Sequence, residues 1–156
     1  MPATPAPTTN APTLTAHDPR LAAWATFLRA HARVTRALER ELHDEQRMAL
    51  ADYDVLVQLA AATPHQLRMG ELAERLLLSR SGITRLIDRL ERAGFVTRAE
   101  CDTDRRGSWA VLTEAGYARL REATPSHLRG VAEHFIDRIP SEELVALEET
   151  LARVLD

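Results

Sequence analysis

The sequence contains one cysteine, Cys101, among 156 residues, and it contains no lysine. A single thiol cannot form a disulfide within the chain, which is typical of a protein from a reducing cytoplasm. No apolar run approaches the roughly 20 residues that cross a bilayer, and the N-terminus has neither the basic region nor the apolar core of a signal peptide. We therefore expect a cytoplasmic protein that has no membrane partner.

Patterns that supply catalysis or bind a metal are also lacking. There is no Gly-rich phosphate loop, the serines have no evident His and acid partners, and the six histidines show no HExxH or comparable spacing. Acidic neighbours, Glu100 and Asp102, disfavour a reactive thiolate at Cys101. We expect no catalytic residue, no metal and no cofactor, and a redox-responsive role of Cys101 stays as an alternative.

Charge is unevenly distributed along the chain. The formal net charge is −3, yet residues 75–106 carry eight arginines against five acidic residues, a local net charge of +3. A positive segment within an acidic chain predicts contact with a polyanion through that segment, because a whole-chain sum hides the local field. The composition, 45% hydrophobic and 28% charged, is otherwise that of one globular domain with a substantial core.

The positive segment has the pattern of a helix followed by a hairpin. Ser79 or Ser81 can cap a helix that ends at Gly94. The apolar residues between them recur at spacings of three and four and predict one buried stripe: Ile83, Leu86, Ile87 and Leu90. Residues 95–97 and 108–113 favour strands joined by a tip, DTDRRG. With a short helix at residues 69–76, this predicts a winged helix-turn-helix.

The runs LLLSRSGITRLIDRLERAGFVTR and DTDRRGSWAVLTEAG resemble the MarR family of bacterial transcriptional regulators. The shared pattern is a recognition helix ending in Leu-Glu-Arg-x-Gly-Phe-Val-x-Arg, a wing with Asp-x-Asp-Arg-Arg, and a closing Leu-Thr-x-x-Gly. One departure is Leu77, which stands where many members have a glycine in the turn before the recognition helix. The resemblance implies a sequence-specific DNA-binding regulator, a repressor; a winged helix used for protein contacts is the alternative.

The expected fold is mainly α, with a small β-hairpin wing and with N- and C-terminal helices that form a dimerisation region. We divide the chain into a disordered tail at 1–17, a dimerisation helix at 18–48, the winged helix-turn-helix at 49–113 and C-terminal dimerisation helices at 114–156. In the second helix, residues 50–62, we expect Tyr53, Leu56, Val57 and Ala60 to point inward. Pro125 should kink or split the helix after Thr113. The terminal helices carry more apolar surface than so small a core can bury, which favours a symmetric homodimer over a monomeric bundle.

Two-fold symmetry predicts a pseudo-palindromic site on double-stranded DNA. The groove residues are expected near the start of the recognition helix: Ser79, Arg80, Ser81, Thr84 and Arg85, with Arg85 suited to guanine. Arg89 should hold a phosphate or pair with Asp88 or Glu91. The resemblance further implies that Arg106 enters the minor groove, that Asp104 orients it, and that Arg105 contacts phosphate.

The resemblance also implies a small-molecule effector, often an anionic aromatic, bound between the winged domain and the dimer helices. The residues that would line its site are Trp24, Phe27, His31, Tyr53 and Arg68, and His31 is the candidate sensor because an imidazole can gain charge beside an anion. The alternative for the aromatic residues and the histidine is ordinary core packing, which is the usual role of such a stripe.

Overall fold

The computed structural model describes residues 15–100 and 108–155. Within these ranges the elements are α1 (Leu21–Gln46), α2 (Leu50–Ala61), β1 (Gln66–Arg68), α3 (Met69–Arg75), α4 (Arg80–Arg92), β2 (Val96–Glu100), β3 (Ser108–Leu112), α5 (Glu114–His134), a 3-10 turn (Ile136–Arg138) and α6 (Ser141–Leu155). The chain forms two compact units, residues 1–33 and 34–156, which are considered separately. None of the described helices is both long and apolar enough to span a membrane.

Helix α4 forms as the sequence predicts. Ser79 is its N-cap, with an extended backbone, and its hydroxyl accepts a hydrogen bond from the Gly82 N–H at 3.1 Å. The predicted stripe of four apolar residues is buried against the rest of the larger unit. The mainly α fold with a winged helix-turn-helix is thus confirmed.

The turns that end α3 and α4 have the same geometry but different residues. After α4, the N–H of Gly94 donates to the Glu91 carbonyl and that of Phe95 to the Leu90 carbonyl, with Gly94 at a φ of 79°. After α3, the N–H of Leu77 donates to the Glu74 carbonyl and that of Leu78 to Ala73, with Leu77 at a φ of 54°. Both are Schellman caps. Leucine therefore takes the left-handed conformation, which costs about 1 kcal/mol relative to glycine.

The wing has a third strand that the sequence did not indicate. The three strands form an antiparallel sheet in the order β1-β3-β2, in which Leu67 pairs with Ala110 and Thr97 with Val111. The sequence predicted only the two strands of the hairpin, because a three-residue strand is too short to show a period. Leu67 is buried, so β1 joins the sheet to the core.

The core of residues 34–156 is apolar, and its largest side chains with almost no exposure are Leu42, Val55, Leu56, Leu59, Leu72, Ile83, Ile87, Leu90 and Val96. The predicted inward face of α2 is confirmed but incomplete. Tyr53 and Leu56 are buried, and Val57 and Ala60 are half-buried and pack against the core. Val55 and Leu59, which were not predicted, are completely buried. Helix α2 packs against α5, the sheet, α3 and α4, so its buried residues do not form a single stripe.

Helix α5 is continuous from Glu114 to His134, so Pro125 does not split it. The alternative, that Pro125 kinks the helix, stays a prediction. Proline removes the hydrogen bond to the carbonyl four residues earlier, that of Arg121. Arg121 and Pro125 are both exposed, so water can satisfy that carbonyl. Thr113 caps α5, accepting a hydrogen bond from the Gly116 N–H at 3.0 Å.

Several apolar side chains of the first and last helices are not covered by the described residues. No residue of α6 is buried, and Val154 and Leu155 are 79% and 88% exposed. In the N-terminal unit, the side chains of Trp24, Phe27 and Leu28 are also exposed. These apolar side chains are consistent with the surplus of apolar surface that the sequence predicts.

A substitution at Gly116 tests the packing between α5 and the turn after α4. A Cβ at Gly116 would lie 2.1 Å from the Phe95 carbonyl oxygen, a backbone atom that cannot move aside alone. We expect Gly116→Ala to lower the free energy of unfolding by roughly 1–3 kcal/mol, the usual cost of overpacking. Urea denaturation measures this difference.

Gly70→Ala is the matched control. A Cβ at Gly70 meets nothing within 4 Å, and the residue lies inside α3. Alanine there should be neutral or stabilise by up to about 1 kcal/mol. Equal unfolding midpoints for the two variants would contradict the close contact at Gly116.

Candidate nucleic-acid interface

The outward face of α4 collects the polar and basic residues that the sequence predicts for DNA contact. Because its apolar stripe is buried on one side, the opposite side is exposed, and it carries Arg80, Ser81, Thr84, Arg85, Arg89 and Arg92. Ser79 is exposed at the start of the same helix. The predicted helix residues therefore lie together on one surface.

The first turn of α4 is suited to an anion. It contains no acidic residue, so the positive end of the helix dipole is not offset there. The hydroxyls of Ser79 and Ser81 are 3.2 Å apart, and that of Thr84 donates to the Arg80 carbonyl at 2.8 Å. The side chains of this turn are thus held in place before any ligand arrives.

The arginines of α4 differ in their partners. Arg80 and Arg85 form no ion pair with any residue of the ranges 15–100 and 108–155. The Nε of Arg92 donates to the Asp88 carbonyl at 3.1 Å, which leaves its terminal nitrogens able to reach outward. The first half of the helix therefore presents the most available guanidinium groups.

The predicted pairing of Arg89 with Asp88 or Glu91 is wrong, and its predicted contact with phosphate stays a prediction. Its guanidinium binds the carboxylate of Asp52 on α2, with Nη2 2.6 Å from Oδ1 and Nε 3.1 Å and 3.2 Å from the two oxygens. Asp88 and Glu91 bind Arg98 instead. A contact with α2 depends on tertiary packing, which the local spacing of charges does not reveal.

Asp88 and Glu91 instead hold Arg98 of β2, a residue that the sequence did not single out. Arg98 Nη2 lies 2.6 Å from Asp88 Oδ1 and Nη1 lies 2.5 Å from Glu91 Oε2, while the backbone N–H of Arg98 donates to Glu91 Oε1 at 3.2 Å. Partial burial by itself lowers the pKa of Arg98, but the hydrogen bonds and charges of the two carboxylates raise it overall. Both acids of α4 are thus paired with one guanidinium, and the strand is fixed to the helix.

The wing lies beside this surface, but residues 101–107 are outside the described ranges. Asp104, Arg105, Arg106 and Cys101 are among them, so their predicted roles stay predictions. On the described part of the sheet, the guanidinium carbon of Arg68 lies 5.3 Å from the centre of the Trp109 ring. This cation–π contact connects neighbouring strands β1 and β3.

The residues predicted for an effector fall into separate groups. On α1, Trp24, Phe27 and His31 form a row, with ring centres 6.0 Å and 6.3 Å apart, and all three are exposed. Tyr53 is buried in the core, where its ring lies 4.3 Å from that of His127 and its hydroxyl donates to Thr124 at 3.4 Å. Burial lowers the pKa of His127. Arg68 belongs to the wing.

Within the described residues, no group of three or more His, Cys, Asp and Glu side chains is placed to hold a metal ion. The ionic contacts of this region are made between arginines and carboxylates. The outward face of α4 presents guanidinium and hydroxyl groups to a ligand. Such groups can bind the phosphates and the base edges of DNA.

Comparisons with known proteins agree with this geometry. The model of the MarR family matches residues 48–107. AbsC, a MarR family transcriptional regulator from Streptomyces coelicolor, is 35% identical, with a TM-score of 0.82 over 92% of this chain and 96% of that chain. Another MarR family regulator from the same organism was crystallised in complex with DNA. It is 34% identical, with a TM-score of 0.82 over 92% of this chain and 89% of that chain.

A third relative is an HTH-type transcriptional regulator of Bacillus cereus. It is 34% identical over 107 residues, which are 69% of each chain. All three are transcriptional regulators, as the sequence predicts, and none is an enzyme.

Substitution of Asp52 tests the ion pair with Arg89. In Asp52→Asn the charge that holds Arg89 is lost, so the guanidinium can bind a phosphate instead. We expect affinity for random-sequence duplex DNA to rise and the slope of log K against log[salt] to steepen by about 1 per protomer. Stability should fall by less than about 1 kcal/mol, because the pair is partly exposed.

Glu148→Gln is the charge-matched control, since it removes one carboxylate from α6, far along the chain from α4. If both variants raise DNA affinity equally and the salt slope is unchanged, Arg89 is not released toward phosphate.

Proposed function

The chain belongs to the MarR family of transcriptional regulators, and on this basis we propose that it is a repressor that binds a specific DNA sequence as a homodimer. The observation that carries this proposal is the exposed basic face of α4. Its apolar stripe is buried, both of its acids are paired with Arg98, and Arg80 and Arg85 carry no ion pair within the described chain. The DNA complex of the Streptomyces relative gives the proposal further support.

In the proposed complex, α4 enters the major groove of DNA with its N-terminal half leading. Arg85 is suited to the O6 and N7 atoms of a guanine, because its guanidinium can donate two parallel hydrogen bonds. Ser79, Ser81, Thr84 and Arg80 lie around it and can reach phosphate or base edges. From the wing, Arg106 would enter the minor groove, oriented by Asp104, and Arg105 would contact phosphate.

The homodimer is proposed from the exposed apolar faces. Helix α6 has no buried residue, although Leu144, Leu147, Leu151, Val154 and Leu155 recur along it. The three leucines are half-buried, and Val154 and Leu155 are exposed. An apolar stripe that is left partly open to water in this way is normally covered by a partner. We assign residues 18–48 and 114–156 to dimerisation and residues 49–113 to DNA binding. A two-fold axis would place two α4 helices about one DNA turn apart, on a pseudo-palindrome.

Salt dependence tests whether the basic face binds DNA. Each phosphate that the protein neutralises releases counterions and contributes about −0.9 to the slope of log K against log[salt]. We expect a slope steeper than about −4 for a dimer bound to DNA from the region upstream of its own gene. Fluorescence anisotropy at several salt concentrations measures the slope, and binding that does not respond to salt would contradict the proposal.

Substitutions at Arg85 and Arg105 test the division between base and phosphate contacts. Arg85→Ala should reduce the preference for the specific site by about 1–3 kcal/mol, because a pair of hydrogen bonds to guanine is lost. Arg105→Ala should weaken binding to all sequences alike. Titrations with specific and random duplexes separate the two effects, and equal losses on both duplexes for Arg85→Ala would refute its role.

We propose that an anionic aromatic effector regulates DNA binding. The row of Trp24, Phe27 and His31 supports this, because exposed rings at helical spacing can stack on an aromatic ligand and the imidazole can pair with an anion. The effector contacts predicted for Tyr53 and Arg68 stay predictions. The occupied site would then favour a state that releases DNA.

Binding of such an effector has a measurable consequence. A substituted benzoate present at about 100 times its Kd should stabilise the protein by about 2.7 kcal/mol, raise its Tm and weaken its hold on DNA. Trp24→Ala should abolish both effects. Leu28→Ala is the control, since Leu28 is also exposed on the same helix but outside the aromatic row. A panel of benzoates that changes neither Tm nor DNA affinity would exclude this class of effector.

A further inference from the structure

We propose that Leu77 contacts DNA: its side chain packs against the carbon surface of the duplex, a deoxyribose or a thymine methyl group, when α4 enters the major groove. This inference rests on the proposed function. It concerns a residue of the turn between α3 and α4, outside the set of polar and basic residues considered so far.

The first argument is an internal comparison of two helix ends. The turns after α3 and α4 have the same pair of backbone hydrogen bonds and both place one residue at positive φ. Gly94 occupies that position after α4, at no steric cost. Leu77 occupies it after α3 and is strained by its Cβ. The backbone geometry alone therefore does not require a leucine.

The second argument is that the leucine side chain has no role within the described chain. Leu77 is 93% exposed, the largest exposure among the large hydrophobic residues of the described ranges. Two other non-glycine residues of those ranges have positive φ, Arg47 and His65, and both have polar side chains. Leu77 is the one that combines a strained backbone with an apolar side chain in water. No contact among the described residues offsets the strain or the exposure.

The third argument is position. Leu77 precedes the N-cap, Ser79, by two residues, so it lies at the end of α4 that leads into the groove in the proposed complex. Its neighbour Leu78 is 38% exposed. A leucine side chain at this edge would meet the wall of the groove, where the accessible apolar groups are sugar carbons and the C5 methyl of thymine.

The test compares three variants on a duplex that the wild-type protein has selected from a random-sequence pool. Leu77→Asn tolerates positive φ but removes the aliphatic surface, and Leu77→Gly also removes the strain. Leu77→Met keeps an apolar side chain. We expect Asn and Gly to weaken binding about 5- to 30-fold, which is the factor for one or two kcal/mol, and Met to stay within about 3-fold of the wild type.

Thermal unfolding of the same variants separates DNA contact from folding. Leu77→Asn and Leu77→Gly should have a Tm equal to or above that of the wild type, because no buried contact is lost. Weaker binding accompanied by a lower Tm would overturn the inference in favour of a structural role. Unchanged binding by Leu77→Asn would overturn it as well. If the wild type itself selects no sequence, the proposed function fails instead.

A duplex in which deoxyuridine replaces every thymine distinguishes the two DNA groups. If Leu77 packs against a thymine methyl, the difference between the wild type and Leu77→Asn should disappear on this duplex. If it packs against deoxyribose, the difference should be the same on both duplexes. A larger difference on the deoxyuridine duplex would contradict both forms of the contact.

Discussion

Burial of four apolar side chains fixes the direction in which α4 presents its arginines. Ile83, Leu86, Ile87 and Leu90 are almost inaccessible to water, so the helix cannot rotate without exposing them. Burying one such side chain stabilises a fold by about 1.5–3 kcal/mol, more than an exposed ion pair contributes. The ion pairs at the edges of α4 therefore adjust a position that packing has already set. The burial of the apolar stripe therefore determines that the arginines of α4 face outward.

Ion pairs with α2 and with β2 then determine which arginines of α4 remain available to a ligand. Asp52 of α2 holds Arg89, and Arg98 of β2 holds Asp88 and Glu91. Both acids of α4 are thus paired with Arg98, whereas Arg80 and Arg85 have no acidic partner within the described residues. A segment with a modest net charge of +3 can in this way present a locally positive surface. The same contacts tie the helix to both α2 and the wing.

Much of this arrangement could be predicted from the sequence because it depends on local patterns. The stripe of α4, the cap at Ser79 and the turn at Gly94 each follow from residues within a few positions of one another. The partner of Arg89, the role of Arg98 and the strand β1 could not be predicted, since each depends on elements that meet only in the folded chain. The effect of Pro125 on α5 could not be predicted either, because it depends on whether the carbonyl that loses its hydrogen bond faces water. Leu77 has the left-handed conformation at a position where glycine is usual, so a leucine can replace this glycine without changing the hydrogen bonds of the turn.

The proposed function requires two copies of α4 to act together, because one such helix contacts only a few base pairs. The exposed apolar side chains of α6 are the proposed means of bringing the two copies together. Hydroxyl-radical footprinting on a duplex selected by the protein tests this most directly. We predict two protected patches on the same side of the duplex, about 10 base pairs apart and related by two-fold symmetry, with two chains bound per duplex. A single protected patch with one chain bound would contradict the account.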